Sequence, residues 1–190
     1  MLPMKPLFTI HAGEYLVGSH IEQKFARKVN VWIPSTDTGI DLLLSNRDST
    51  RTASIQVKFS KDFLPTNPIL QDKESHLKSC GWWTINQGKL ANSPAQFWVF
   101  VLLGFRTERD FVIVRPKDLL QRLRRIFGEK PSTFQSYLWV TKQAKCWEAR
   151  GLKKDDQRRI SKGDYEDELR NLTDCLNNWK PILRELGNNA

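Results

Sequence analysis

A mixed α/β fold, one central β-sheet with helices flanking it, is what this 190-residue sequence predicts. Three observations carry the expectation. An amphipathic stripe near the start gives way to three short strand-like runs in succession. A continuous apolar run, Phe97 to Gly104, has the character of a central strand buried on both faces. A further strand, Asp110 to Arg115, then leads through Pro116 into a second amphipathic helix.

The first helix is expected from about Ala12 to Lys28, with Val17, Ile21 and Phe25 forming its apolar stripe. Glu14 lies three residues before Val17 and belongs to the same inward face, in the first turn, where the helix dipole also favours a carboxylate. Glu22 is rotated about 80° from Glu14 and falls at the edge. Val29 to Ile33 reads as a strand, Pro34 to Gly39 as a loop, Ile40 to Ser45 as the second strand, Asn46 to Thr52 as a turn and Ala53 to Phe59 as the third strand.

Pro65 to Pro68 opens a connecting region in which Trp82 and Trp83 are placed. After the buried strand and its successor, Leu119, Leu120, Leu123, Ile126 and Phe127 give the helix from Pro116 an apolar face. Beyond Gly128 the pattern is a hairpin, Ser136 to Thr141 with Cys146 to Arg150, then a polar link rich in Lys and Arg. A last helix is expected from about Asp164, with Leu169, Leu172, Leu176 and Trp179 on one face and Pro181 disturbing its end. The chain is therefore read as a single domain, residues 1–190, with a core over about 8–128 and a C-terminal extension over about 129–190.

Composition narrows the function classes. A hydrophobic content of 39% with seven Trp and ten Phe is globular rather than disordered, and no apolar run approaches the ~20 residues of a membrane span. The early segment lacks the long apolar core of a secretory signal, so a cytoplasmic protein is expected. Cys80, Cys146 and Cys175 are odd in number and far apart, which supports neither a disulfide framework nor a zinc site. A formal charge of +9 points to a polyanionic partner, nucleic acid ahead of an anionic membrane.

The chemistry gathers on the hairpin Ile40-Asp41-Leu42-Leu43-Leu44 and Ile55-Gln56-Val57-Lys58-Phe59. A turn centred between Asp48 and Ser49 pairs Asp41 with Gln56, their Cβ atoms roughly 4.5–5.5 Å apart. Strand alternation puts Gln56 and Lys58 on one, chemical face and Ile55, Val57 and Phe59 on the other, core face. With Glu14 arriving from the helix, two carboxylates, an amide and an ammonium converge. Such oxygen ligands suit Mg2+ or Mn2+, and a nearby Lys positions water and offsets phosphoryl charge. The competing reading is an ordinary hairpin whose polar face is merely solvated.

These residues resemble the PD-(D/E)XK, or restriction endonuclease-like, nuclease superfamily. The matching segments are Gly13-Glu14-Tyr15-Leu16-Val17, Gly39-Ile40-Asp41-Leu42-Leu43 and Ile55-Gln56-Val57-Lys58, within an αβββαβ core and ahead of the C-terminal hairpin and helix. The resemblance implies a metal-dependent endonuclease that hydrolyses DNA phosphodiester bonds. Asp41 would be the central metal ligand, Glu14 a second carboxylate, Val57 a carbonyl ligand and Lys58 the water-positioning cation. Gln56 departs from the pattern, standing where most members carry an acid. It keeps an oxygen for the metal but removes a charge.

Further readings surround this set. Arg27, Lys28 and Lys61 would hold DNA phosphates at the rim. Arg122, Arg124 and Arg125 read as a solvated helix face, and Lys153, Lys154, Arg158 and Arg159 as either a basic cluster or a mobile linker. Trp82 and Trp83 could stack on bases, although core packing is the commoner fate of Trp. His11, His20 and His76 show no ligand spacing. The rival function is a catalytically weak or inactive DNA-binding module of the nuclease fold, a subunit of a restriction or phage-defence system. A homodimer is compatible with either.

Overall fold

Phe97–Gly104 forms the central strand, β5, and its apolar residues divide between two cores. Phe97, Val99 and Val101 enter one hydrophobic cluster, whereas Trp98, Phe100 and Leu102 enter another on the opposite face. An uninterrupted apolar run is what a strand covered on both sides requires. The computed structural model describes residues 12–60, 76–104 and 109–188.

Within those residues the chain order is α1 (Ala12–Phe25), β1 (Val29–Trp32), β2 (Leu42–Asn46), β3 (Thr52–Phe59), β4 (Leu77–Asn86), α2 (Gln87–Ala91), β5, β6 (Arg109–Val114), α3 (Pro116–Phe127), β7 (Thr133–Thr141), β8 (Cys146–Glu148), α4 (Lys154–Lys162) and α5 (Lys180–Glu185). The strands make one mixed sheet in the order β1-β2-β3-β5-β4-β7-β8, with β6 also on β5. Among the described residues only β3 and β5 run parallel; the other pairs are antiparallel. The coarse expectation of a mixed α/β sheet flanked by helices holds.

Val17 and Ile21 of α1 join Ile182 and Leu183 of α5 over the face bearing Ile55, Val99 and Ile113. Leu90 of α2 and Leu119 and Leu123 of α3 cover the face bearing Trp98, Phe100 and Val112. A third cluster, with Trp139, Trp147 and Ile160 of α4, lies where β4, β7 and β8 continue the sheet. The hairpin expected after Gly128 is therefore part of the sheet, and residues near the C-terminus close the α1 core.

Three expectations about elements fail. Leu77–Asn86 is a ten-residue strand rather than part of a connection. Gly81 hid it: a Cβ there would stand 2.3 Å from Trp83 Cη2, so a small residue is needed for the Trp83 ring to lie across the strand. The basic link contains α4, whose Arg158–Asp155 (3.2 Å) and Arg159–Asp156 (3.8 Å) pairs lie one turn apart.

The third failure is the helix expected from Asp164. Leu172 packs in the α2–α3 core and Trp179 in the α1 core, so the segment passes round the sheet edge, bridging at Val112↔Leu176, with only a 3-10 turn at Thr173–Cys175. One helix face cannot serve two sides of a sheet. Pro181 opens the short α5 instead of ending a long helix, because an N-terminal turn needs no N–H at that position. The three cysteines are free thiols. No helix among the described residues is long and apolar enough to cross a membrane.

Candidate functional site

The β2–β3 hairpin has the register read from the sequence: Leu42 faces Ile55, Leu43 faces Ser54, Leu44 faces Ala53 and Ser45 faces Thr52. Asn46 and Ser49 close its turn, the Ser49 N–H donating to Asn46 O at 3.1 Å. The ladder stops one residue short of Asp41 while β3 continues to Phe59, and among the described residues no strand pairs the outer edge of Val57. A side chain fills that place. Asp41 Oδ2 accepts the Val57 N–H at 2.7 Å, and Asp41's own N–H donates to Ile55 O at 2.8 Å.

In a strand the N–H and C=O of one residue point to the same edge. The Val57 carbonyl consequently faces the edge that the Asp41 carboxylate occupies. Gly39, with φ of 82°, makes the preceding bend, a conformation that costs glycine little.

Lys58 follows Val57 and leaves from the opposite face to Val57. Parallel pairing sets Gln56 beside Trp98 and Lys58 beside Phe100, and the Lys58 ammonium sits 4.4 Å above the Trp98 ring. This face is not an open chemical surface: Gln56 and Lys58 are half-buried against the α2–α3 core. Burial lowers the Lys58 pKa, with Asp41 and Asp37 opposing that shift and Lys89 reinforcing it. Asp37, Lys89 and Trp98 thus belong to the surroundings of Lys58. Local pattern could not have named them, because no periodicity in β3 says that β5 and α2 will lie beside it.

Glu14 is buried, 4% exposed, as its helix phase requires, while Glu22 is exposed. Its helix covers the Val57 and Phe59 face. Gly13 sits against that strand so closely that a Cβ would be 2.6 Å from Phe59 Cβ. The structure thus brings Asp41, Val57 and Lys58 together along one strand end, with Glu14's helix lying across the face opposite to Lys58.

Among the described residues no cluster of three or more His, Cys, Asp or Glu gathers. The chain matches no family model, no curated protein and no solved structure.

Of the rim cations, Arg27 and Lys28 are exposed, and Arg27 ends α1 in the left-handed region with φ of 70°. Lys61 and His11 lie outside the described residues. The α3 arginines are not uniformly solvated. Arg122 donates to the carbonyls of Glu168, Leu169 and Asn171, and Arg124 Nε donates to Gln87 Oε1 at 2.8 Å, which leaves Arg125 as the exposed member. Trp83 is buried at 7% exposure, and Trp82 is exposed at 39%, its backbone N–H donating to Ser60 Oγ at 3.1 Å.

Two buried carboxylates lie elsewhere, each held by donors. Asp110 receives Lys78 Nζ at 2.8 Å, Ser79 Oγ at 2.7 Å and Asn177 Nδ2 at 2.9 Å. Glu148 receives the Ser136 hydroxyl and the N–H groups of Tyr137 and Arg150, and burial still pushes its pKa up to about 7. Their partners fasten β4 to β6 and β7 to β8.

Proposed function

We propose that this chain is a metal-dependent endodeoxyribonuclease of the PD-(D/E)XK kind, in a Gln-x-Lys form. The observation that carries the reading is the 2.7 Å bond from the Val57 N–H to Asp41 Oδ2, which holds a carboxylate beside a strand carbonyl one residue before Lys58. A sheet with a parallel β3–β5 pair and helices on both faces is compatible with the restriction endonuclease-like core.

The donors fit the ion in kind. Asp41 carboxylate and Val57 carbonyl are hard oxygen ligands on one edge, suited to Mg2+ or Mn2+ rather than to softer metals. Glu14 and the Gln56 amide oxygen, which approach from opposite faces of β3, are the further residues the resemblance assigns to it. A bound divalent ion would supply Lewis acidity, polarising phosphoryl oxygens and making water a better nucleophile.

The chain's own groups do the rest. Lys58 brings a positive charge whose hydration is already reduced, so it acts more strongly on developing phosphoryl charge than an exposed ammonium would. Trp98 holds that ammonium from one side through its ring face. Gln56 can accept or donate a hydrogen bond but cannot take up a proton as a base. Exposed Arg27 and Lys28 would contact phosphates without reading sequence.

The test is cleavage of supercoiled, linear, single-stranded and four-way-junction DNA in Mg2+ or Mn2+. Asp41→Ala and Lys58→Ala should each abolish cutting; undiminished cutting by both would overturn the assignment.

One observation favours a second reading, a DNA-binding module without catalysis: with Gln56 in place, the described residues offer no three-acid cluster. Calorimetry separates the two. Mn2+ binding that disappears in Asp41→Ala supports the nuclease. No Mn2+ binding, together with salt-dependent DNA binding that survives Asp41→Ala, supports the module.

A further inference from the structure

At the C-terminal end of α1 a groove of about 450 Å³ opens between that helix and α5. Its apolar lining is the half-buried Phe25 backed by the buried Trp179 and Leu183, and its rim carries Lys24, Lys28 and Lys180. Among the described residues no acidic side chain lines it. The larger groove of about 720 Å³ beside α3 differs in kind, because Arg122 and Arg125 there face Asp118, Asp167, Glu168 and Asp174. The α1–α5 groove alone of these two combines one sign of charge with an apolar floor.

The floor is built in advance. Trp179 stacks on His20 with ring centroids 5.3 Å apart and meets Phe111 and Phe25 edge-on at 5.5 and 6.3 Å. Burial lowers the His20 pKa, aided by Lys24 and Arg109, so the imidazole behind the floor is neutral near pH 7. The rim ammonium groups set the charge of the site. A volume of this size suits a nucleotide-sized group, and the half-buried Phe25 ring beneath several lysines matches a base flanked by phosphates.

We infer that this groove receives a nucleobase of a single-stranded DNA segment, with the neighbouring phosphates on Lys24, Lys28 and Lys180. This binding does not rest on the nuclease reading.

The experiment measures anisotropy of a labelled 12-nucleotide DNA with the full chain in EDTA, where metal-dependent cutting does not occur. The triple variant Lys24→Glu, Lys28→Glu, Lys180→Glu should bind at least tenfold more weakly, and its salt slope should fall by about 2, since each phosphate contact on a single strand contributes about 0.7. A control with the same charge change, Lys142→Glu, Lys153→Glu, Lys162→Glu, should lose less than threefold. Scanning one abasic position along the oligonucleotide should cost wild type several-fold at one site and cost the groove variant nothing there.

Equal losses in the two triple variants, or no position at which the missing base matters, overturn the inference. So does binding of phosphatidylserine vesicles, in place of the oligonucleotide, that disappears with the groove lysines. A chain that shows the base-dependent effect yet never cuts DNA keeps the groove and loses the nuclease assignment; one that cuts without the effect does the reverse.

Discussion

The Asp41 carboxylate takes the place of a strand at the Val57 N–H, 2.7 Å away. It does so because β2 begins only at Leu42, opposite Ile55, while β3 runs on to Phe59. On the proposed reading one side chain therefore has two tasks, completing a backbone hydrogen bond and offering an oxygen to a metal beside Lys58.

Asp41→Asn should separate those tasks. The amide oxygen still accepts from Val57, so stability should stay near wild type, whereas Asp41→Ala leaves the N–H without that acceptor and should cost about 1–3 kcal/mol. Both variants should lose Mn2+ binding by calorimetry. Denaturant titration of the pair checks the structural half, and equal stabilities would show that the bond contributes nothing.

Lys58→Met removes a half-buried ammonium and keeps the length of the side chain. The folded pKa lies below the ordinary 10.5, so the folded state holds this proton less tightly than the unfolded chain does. That penalty is present below the folded pKa and fades as pH rises through it towards 10.5. Losing the penalty and losing the Trp98 contact act in opposite directions, so stability at pH 7 should stay within about 1 kcal/mol of wild type. Cleavage should fall at least ~100-fold. Retained cleavage in a plasmid assay would remove Lys58 from the site.

Glu148 should make stability depend on pH in the opposite sense to most carboxylates. Its folded pKa of about 7 exceeds the ordinary 4.5, so the folded state binds the proton more tightly. Stability from this group is complete below pH 4.5, declines as pH rises to about 7, and is flat above. A shift of this size corresponds to about 3 kcal/mol. His20, with its lowered pKa, works the other way, so the useful quantity is the difference between wild type and Glu148→Gln. Urea midpoints from pH 4 to 8 should show that difference growing with pH; parallel curves would contradict it.

Gly81→Ala should destabilise the fold by about 1–3 kcal/mol, since its Cβ would meet the Trp83 ring at 2.3 Å. Shortening the ring with Trp83→Leu in the same chain should make the alanine nearly neutral. A double-mutant cycle by chemical denaturation gives the coupling, and simple additivity would show that the ring moves aside freely.

The sequence by itself determined what depends on near neighbours along the chain. Helix phase made Glu14 inward and Glu22 outward. The turn at Asp48 and Ser49 set the β2–β3 register, and the apolar run in β5 announced burial on both faces. Each of these follows from a period of 2 or 3.6 that repeats within a few residues.

Only the tertiary structure decided which strand lies beside β3. Pairing with β5 turned the Gln56–Lys58 side from a solvent face into the edge of a core, and it brought Trp98 under the ammonium. The same holds for the segment from Leu172 to Trp179. Its apolar residues look like one helical stripe, yet they serve opposite faces of a sheet whose edge the chain must round. Local periodicity records that a side chain will be buried; which partner buries it depends on contacts distant in sequence, formed once the whole sheet has assembled.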